Sequence, residues 1–346
     1  MSKTTLQAML DDREWLLADG ATGTNFFDMG LMSGDAPEMW NLDAEDSKKV
    51  RTLHRKFIES GSDIILTNTF GGGRHRLKLH NAQDQVFEIN KAAAELARAE
   101  ADAVERPVIV AGSVGPTGEI FQPIGELSYE DGVASFKEQA EGLKAGGVDV
   151  FWIETMSAQE EMQAAVEGCS GLGLPIVGTM SFDTNGRTMM GITPENFAGL
   201  MTTMPGSPVA MGANCGTGAS ELIGTILGIT KAQPDAIVVA KGNCGIPEFK
   251  DGEIQYSGTP ELMADYARLA LDAGARIIGG CCGTSYDHLA AMREALEGHT
   301  KQDRPTIEAV IEKLGEVSEI AKSGGCGHDH GAKPAARKGR RRRPTA

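Results

Sequence analysis

Three cysteines of this chain are placed so that they could share one metal ion. Cys281 and Cys282 are adjacent in the run Gly279-Gly280-Cys281-Cys282-Gly283-Thr284, which follows an apolar stretch at residues 275–278. Cys215 ends a second apolar stretch at residues 209–215. Such stretches predict buried strands, and the flanking glycines leave room for both neighbouring thiols to turn toward one ion. Three cysteines from two strand ends are typical of a catalytic zinc site that keeps one coordination position open for a substrate.

This ligand set favours one kind of reaction. Three thiolates give a Zn²⁺ site a net negative charge, which suits it to holding a fourth sulfur better than to activating water. A free thiol has a pKa of about 8.5 and is mostly protonated at neutral pH. Coordination removes that proton. The expected chemistry is therefore attack by a bound thiolate on an electrophilic carbon.

Two carboxylates end the first and fourth predicted strands and would face the same pocket. Asp19 follows the first apolar run, and Glu154 follows Phe151-Trp152-Ile153. Neither has an evident acid–base task, so we expect both to receive the ammonium group of an amino-acid substrate. The backbone amides after Asp19 offer a nest for the substrate carboxylate, namely those of Gly20, Ala21, Thr22 and Gly23.

The elements that must position these residues are eight strand-then-helix units. Strand-length apolar runs occur at residues 15–18, 63–69, 107–113, 148–155, 175–182, 209–215, 236–242 and 275–280. Most are continuous rather than alternating, as strands covered on both faces require. Eight units favour an α/β fold of the (β/α)8 TIM-barrel type over an open doubly wound sheet. The unusual polar residues end these runs, on the face where such barrels carry their sites.

Helical periodicity fills the segments between the strands. Helices are predicted at residues 44–60, 83–104, 129–145, 157–169, 194–204, 219–231, 260–273 and 285–296. Gly61, Gly146-Gly147 and Gly274 stand where helices should end, because glycine readily takes the left-handed conformation of a helix C-terminus. We therefore expect one barrel domain at residues 1–300 and a helical extension at 301–323, with its helix at 305–323. A flexible basic tail would follow at 324–346.

Composition and charge indicate the cell compartment of the protein and the kinds of partner it binds. The chain has 346 residues, a formal net charge of −15 and six cysteines. It has no run of about 20 apolar residues and no apolar signal-peptide core, so we expect a cytoplasmic, non-membrane protein with free thiols. The acidic balance argues against nucleic acid as the main partner. The tail is basic, with four arginines at 340–343, and Cys326, His328 and His330 before it form a loose metal-chelating tract.

The motifs together resemble the homocysteine S-methyltransferase family. It includes betaine–homocysteine methyltransferases and the homocysteine-binding domain of cobalamin-dependent methionine synthase. The matching segments are Asp19-Gly20-Ala21-Thr22-Gly23-Thr24, Thr67-Asn68-Thr69-Phe70, Glu154-Thr155, Gly212-Ala213-Asn214-Cys215-Gly216 and Gly279-Gly280-Cys281-Cys282-Gly283-Thr284. The resemblance implies zinc on Cys215, Cys281 and Cys282, with Asp19 and Glu154 contacting homocysteine. It also implies that Asn243 could give the zinc a fourth, displaceable oxygen ligand.

The sequence leaves two kinds of methyl donor possible, and each is used by a different branch of that family. Betaine is a quaternary ammonium and calls for an aromatic cage. Trp40 could supply one wall of that cage, with Phe70 or Trp152 as further candidates. Asn243 and the run Thr67-Asn68-Thr69-Phe70 are instead similar to the methionine synthase branch, in which cobalamin carries the methyl group. The chain has no Asp-x-His-x-x-Gly cobalamin motif, so a corrinoid would have to arrive on another protein.

The expected function is a zinc-dependent homocysteine S-methyltransferase that forms methionine. Its donor would be betaine or a related small molecule such as S-methylmethionine. The alternative is the homocysteine-activating subunit of a split, cobalamin-dependent methionine synthase that takes methyl groups from a separate corrinoid protein. Two non-enzymatic hypotheses are a zinc- or thiol-binding sensor and a docking subunit of a methyl-transfer complex.

Overall fold

The chain folds around a ring of eight parallel strands. The structure is a computed structural model that describes residues 5–206, 208–245, 247–250 and 253–318, with only the backbone at 247–250 and 253–255. Its strands are β1 Leu16–Leu17, β2 Ile64–Leu66, β3 Ile109–Val114, β4 Val150–Met156, β5 Ile176–Met180, β6 Ala210–Cys215, β7 Val238–Gly242, β8 Pro247–Lys250, β9 Glu253–Tyr256 and β10 Ala275–Gly280.

The strand order closes the ring. The parallel sheet runs β1-β10-β7-β6-β5-β4-β3-β2, and a parallel bridge between Ala18 and Ile64 joins its two ends. The remaining strands, β8 and β9, form a separate antiparallel hairpin between β7 and the next helix. The predicted TIM barrel is confirmed, and each predicted apolar run overlaps one strand of the ring.

Twelve α-helices are present in the described part of the chain. They are α1 Leu6–Asp12, α2 Thr22–Asp28, α3 Asp46–Glu59, α4 Arg74–Leu77, α5 Val86–Ala101, α6 Tyr129–Gly146, α7 Gln159–Cys169, α8 Pro194–Thr203, α9 Ala219–Ala232, α10 Pro260–Asp272, α11 Tyr286–Glu297 and α12 Ile307–Leu314. All eight predicted inter-strand helices are found. Their stop signals hold, because Gly61, Gly147 and Gly274 take φ values of +98°, +94° and +101°. None of the helices described is both long and apolar enough to cross a bilayer.

The core has two layers, set by the period-2 alternation of the strands. On β4, Phe151 and Ile153 pack outward against the helices, whereas Trp152 lies in the barrel interior. Helix α1, which the sequence did not predict, adds Leu6, Met9 and Leu10 to that interior cluster. Because side chains fill the barrel interior, a substrate can bind only outside it, at the carboxyl ends of the strands.

The C-terminal helix is shorter than predicted. It ends at Leu314, and Gly315 follows with φ +96°. Val310 is fully buried and belongs to the same core cluster as residues of α9 and α10, so α12 packs directly on the barrel. Residues 319–323 and the predicted basic tail at 324–346, with Cys326, His328 and His330, lie outside the described residues.

Candidate functional site

A cavity of about 330 Å³ opens at the carboxyl ends of the barrel strands. Its polar lining includes the three cysteines, Glu154 and Lys241, together with the segment Gly20-Ala21-Thr22-Gly23-Thr24. The apolar lining near α2 and β2 comes from Phe27, Pro37, Leu66 and Phe70. The volume lies at the small end of the range for ligand pockets, as an amino-acid substrate requires.

The structure brings the three predicted cysteine ligands together. Their sulfurs all lie within 4.8 Å of one another, with Cys215 Sγ 2.8 Å from Cys281 Sγ and 3.9 Å from Cys282 Sγ. A tetrahedral zinc with Zn–S bonds of about 2.3 Å needs sulfurs roughly 3.8 Å apart. The Cys215–Cys282 spacing fits that requirement, and the Cys215–Cys281 pair has to open by about 1 Å. The donor set therefore fits a thiophilic metal ion.

Electrostatics also favour a cation at this place. Sulfur contacts with Cys281 and Cys282, together with burial, hold the pKa of Cys215 well above its ordinary value. Three buried thiols this close cannot all ionise alone, because each negative charge raises the pKa of its neighbours. A divalent cation would remove that penalty. Cys215 itself has a left-handed backbone, with φ +58°.

Asn243 joins the two cysteine-bearing loops. Its Oδ1 accepts the backbone N–H of Cys282 at 3.0 Å, and its Nδ2 donates to the backbone oxygen of Gly216, next to Cys215, at 2.7 Å. The resemblance predicted a displaceable metal ligand here. In the structure the side-chain oxygen accepts a backbone amide, so Asn243 fixes the relative position of the loops, and its role as a metal ligand stays a prediction.

Asn214 holds a strained residue of β4 beside Glu154, a role that the sequence did not predict. Thr155 has φ +63°, unusual for a β-branched residue, where the β4–β5 register shifts between Ile153 and Met156. Asn214 Oδ1 accepts the Thr155 N–H at 2.9 Å, and its Nδ2 donates to Thr155 Oγ1 at 2.7 Å. Strain of this kind persists only where side-chain contacts enforce it. The signal in the sequence was the asparagine directly before Cys215.

Glu154 faces the cavity, as the sequence predicted. It is 8% exposed, and its Oε1 accepts a hydrogen bond of 2.5 Å from Ser113 Oγ, a second residue that sequence reasoning missed. Burial raises the pKa of Glu154 to about 7; the positive charge of Lys241 opposes the shift and Cys281 adds to it. A carboxylate that is costly to desolvate gains most from a cationic partner, so the ammonium role proposed for Glu154 has a physical basis.

Asp19 has a different environment from the one expected. Its Oδ1 lies 2.6 Å from Lys241 Nζ and its Oδ2 accepts the Leu66 N–H at 2.7 Å. Asp19 is 1% exposed and is not among the cavity-lining residues, whereas Lys241 lines the cavity. Each carboxylate oxygen of Asp19 thus has one partner within the protein, and the contact with a substrate ammonium stays a prediction. The missed signal was a lysine within the otherwise apolar run Val238-Val239-Ala240-Lys241.

Trp40 does not line the cavity. Its ring packs on Phe26 with centroids 4.9 Å apart, and Lys49 Nζ sits 4.5 Å from its centroid. A ring that already faces an ammonium is a poor wall for a donor cage, and the cage role of Trp40 stays a prediction. Trp152, the other indole considered, is fully buried inside the barrel. Phe70 does line the cavity.

The predicted backbone contacts are well placed. Gly20 and Thr22 both line the cavity. A Cβ at Gly20 would lie 2.5 Å from the Thr284 oxygen, so only glycine permits the close approach of the β1 and β10 loops. Cys169 and Cys244, the cysteines outside the cluster in the described part of the chain, are fully buried.

The fold and the site define a TIM-barrel protein with a three-thiol cluster at the carboxyl ends of its strands. Among solved structures it is similar to the homocysteine methyltransferase MmuM from Escherichia coli. The metallated and oxidized forms of MmuM each share 23% identity with it, at a TM-score of 0.70 covering 84% of this chain and 99% of MmuM. The apo form has a TM-score of 0.65. At this identity the likeness supports the fold.

The sequence comparison goes further. Residues 16–296 match the family profile described as homocysteine S-methyltransferase. The chain belongs to the homocysteine S-methyltransferase family and is a methyltransferase.

Proposed function

We propose that this protein is a zinc-dependent homocysteine S-methyltransferase that forms methionine. The observation that carries the proposal is the triangle of Cys215, Cys281 and Cys282 sulfurs within 4.8 Å, facing a small cavity that also contains Glu154. Membership of the family and the fold shared with MmuM point to the same activity.

Different residues of the cavity bind different groups of the substrate. When bound to the cysteines, zinc would hold the homocysteine sulfur as a nucleophilic thiolate. Glu154, fixed by Ser113, receives the substrate ammonium. The amides at Gly20 and Thr22 receive its carboxylate. The substrate sulfur then forms a bond to the donor methyl group, the donor keeps the electron pair of the broken bond, and the product is the thioether methionine.

A small cationic donor, betaine or S-methylmethionine, is the first candidate. Glu38 lines the cavity beside Phe27 and Phe70, is only 5% exposed, and accepts the Gly71 N–H at 2.6 Å. A buried carboxylate beside aromatic rings suits a quaternary ammonium or a sulfonium ion.

A separate corrinoid protein is the second candidate, and a different observation favours it. Large apolar side chains are exposed in segments that follow barrel strands, on the face where the cavity opens: Phe27, Met32, Phe70, Ile120, Ile124, Met189 and Met190. Apolar side chains gathered on one face mark an interaction surface. A protein carrying a methylcorrinoid could cover that face.

The test is methionine formation by the purified, zinc-loaded chain with homocysteine and one donor at a time. Turnover with betaine or S-methylmethionine alone supports a self-sufficient enzyme. Turnover with methylcobalamin but with neither small donor supports the split system. A chain that retains zinc yet neither binds homocysteine nor makes methionine with any donor would contradict the proposal.

A further inference from the structure

One cationic side chain lines the cavity. Among the described residues around it, Lys241 carries the single positive charge, whereas Glu38 and Glu154 are carboxylic acids. The Lys241 side chain is 2% exposed. A buried ammonium is costly unless it is paired and hydrogen-bonded. Its hydrogen bonds therefore show what it can still bind.

The protein uses two of the three N–H donors of Lys241. Nζ donates to Asp19 Oδ1 at 2.6 Å and to the Asp19 backbone oxygen at 3.0 Å. A lysine ammonium has three donors, and Nζ forms no third hydrogen bond with the described residues. Because Lys241 lines the cavity, the third N–H is available to an acceptor on the substrate.

The position of Lys241 matches the place of the substrate carboxylate. The Asp19 carbonyl that accepts from Nζ belongs to the same peptide unit as the Gly20 N–H, one of the amides that receive the carboxylate in the proposed function. On its other side, Lys241 pairs in register with Asn214 of β6, which fixes β4 directly after Glu154. The ammonium of Lys241 is therefore close to both groups that hold the amino-acid end of the substrate.

We propose that Lys241 is a substrate-binding residue that donates its third N–H to the carboxylate of homocysteine and so selects amino-acid thiols over thiols that lack a carboxylate. The inference rests on the proposed function, because it takes homocysteine to be the substrate. A hydrogen bond from an ammonium to a carboxylate is roughly twice as strong as one between neutral groups. Lys241 thus gives the substrate carboxylate a counter-charge that the backbone amides do not supply.

The experiment compares two thiols by calorimetry on the zinc-loaded chain. One is homocysteine, and the other is aminopropanethiol, which is homocysteine without its carboxylate. The ratio of their dissociation constants measures the preference for the carboxylate, and any change that acts equally on the ammonium or the sulfur of both thiols cancels in that ratio. Asp19→Asn/Lys241→Met removes the cation together with its counter-charge. Asp19→Asn is the matched control, because it keeps Lys241.

We expect the preference for homocysteine to fall by about 10-fold or more in the double variant, relative to both the wild type and Asp19→Asn. Circular dichroism would check that the double variant is folded. If it is not, Asp19→Asn/Lys241→Gln keeps a hydrogen-bonding pair of side chains at the same place without the charge, and we expect the same direction of change.

Two results would overturn the inference. One is an undiminished preference for homocysteine in a folded double variant, which would leave the carboxylate to the backbone amides. The other is an equal loss of preference in Asp19→Asn, in which Lys241 is still present. A wild-type chain that binds zinc but neither thiol would instead refute the proposed function on which the inference depends.

Discussion

Lys241 Nζ lies 2.6 Å from Asp19 Oδ1 and 3.0 Å from the Asp19 backbone oxygen, and both side chains are almost fully buried. The pair joins β7 to the end of β1 across the barrel. It places a positive charge beneath a cavity that also holds Glu154 and the thiols, and it uses the carboxylate that the sequence assigned to the substrate.

Breaking this pair should destabilise the barrel. Lys241→Met keeps the side-chain volume but leaves Asp19 buried without a counter-charge, which typically costs about 3–5 kcal/mol. Denaturant unfolding would measure the loss. The double variant Asp19→Asn/Lys241→Met should recover part of it, since position 19 is then neutral and only Glu154 still lacks the nearby charge of Lys241. Equal stability of wild type and Lys241→Met would show that the pair contributes nothing.

The single variant Asp19→Asn separates two roles for Asp19, because it keeps the Lys241 charge that lowers the pKa of Glu154. If Glu154 alone holds the substrate ammonium, Asp19→Asn should bind homocysteine within a few-fold of the wild type, as measured by calorimetry. A loss as large as that caused by changing Glu154 would restore the direct contact that the sequence predicted for Asp19.

Glu154→Gln should weaken homocysteine binding without releasing the metal. We expect a loss of about 10–100-fold, because hydrogen bonds to charged groups contribute about 1.5–3 kcal/mol. Zinc content by elemental analysis should be unchanged. Glu161→Gln is a matched control, since Glu161 is also buried but bonds Thr117 at 2.7 Å and is not among the cavity-lining residues. Zinc loss in Glu154→Gln would refute the assigned role.

Homocysteine affinity should also depend on pH through Glu154. Its pKa is raised to about 7, mainly by burial. The carboxylate must be ionised to hold an ammonium group, so binding should weaken below pH 7, by roughly tenfold per pH unit well below that pKa. Calorimetry from pH 5.5 to 8 should show a component of this slope that Glu154→Gln lacks. Identical pH profiles would contradict the prediction.

Cys281→Ala should abolish both zinc retention and turnover, because two thiolates are too few for the proposed site. Cys169→Ala provides the control, as Cys169 is fully buried in the outer core and lies away from the cluster. It should keep the wild-type zinc content. Full activity in a Cys281→Ala protein shown to be free of metal would refute the zinc-dependent scheme.

His54 should make the fold sensitive to acid. It is fully buried on α3, neither ring nitrogen has a hydrogen-bond partner among the described groups, and burial lowers its pKa to about 4. In the unfolded chain His54 takes up a proton near pH 6.5, so its neutral burial costs no free energy of unfolding above that pH. As the pH falls from about 6.5 to 4 the protein should lose about 3 kcal/mol. His54→Leu should remove this component from the unfolding free energies measured between pH 4 and 7; an unchanged pH dependence would exclude His54 as its source.

Local pattern was enough to predict the barrel and the cluster. Continuous apolar runs are what strands covered on both faces require, so the positions of the eight strands follow from composition along the chain. Cys215, Cys281 and Cys282 end such runs, and strand ends of a closed parallel barrel must meet on one face. The hairpin β8–β9 and helix α1 escaped prediction because neither carries a long periodic pattern.

What the sequence determined by itself was therefore the fold, the face of the site and the types of residue that meet there. Only the tertiary structure decided which partners those side chains have. Asp19 forms an ion pair with Lys241, 222 residues away in the chain, and Asn243 accepts the backbone N–H of Cys282, 39 residues away. Trp40 lies between Phe26 and Lys49. A buried polar group must satisfy its hydrogen bonds wherever partners lie in space, and that requirement cannot be read from its neighbours in sequence.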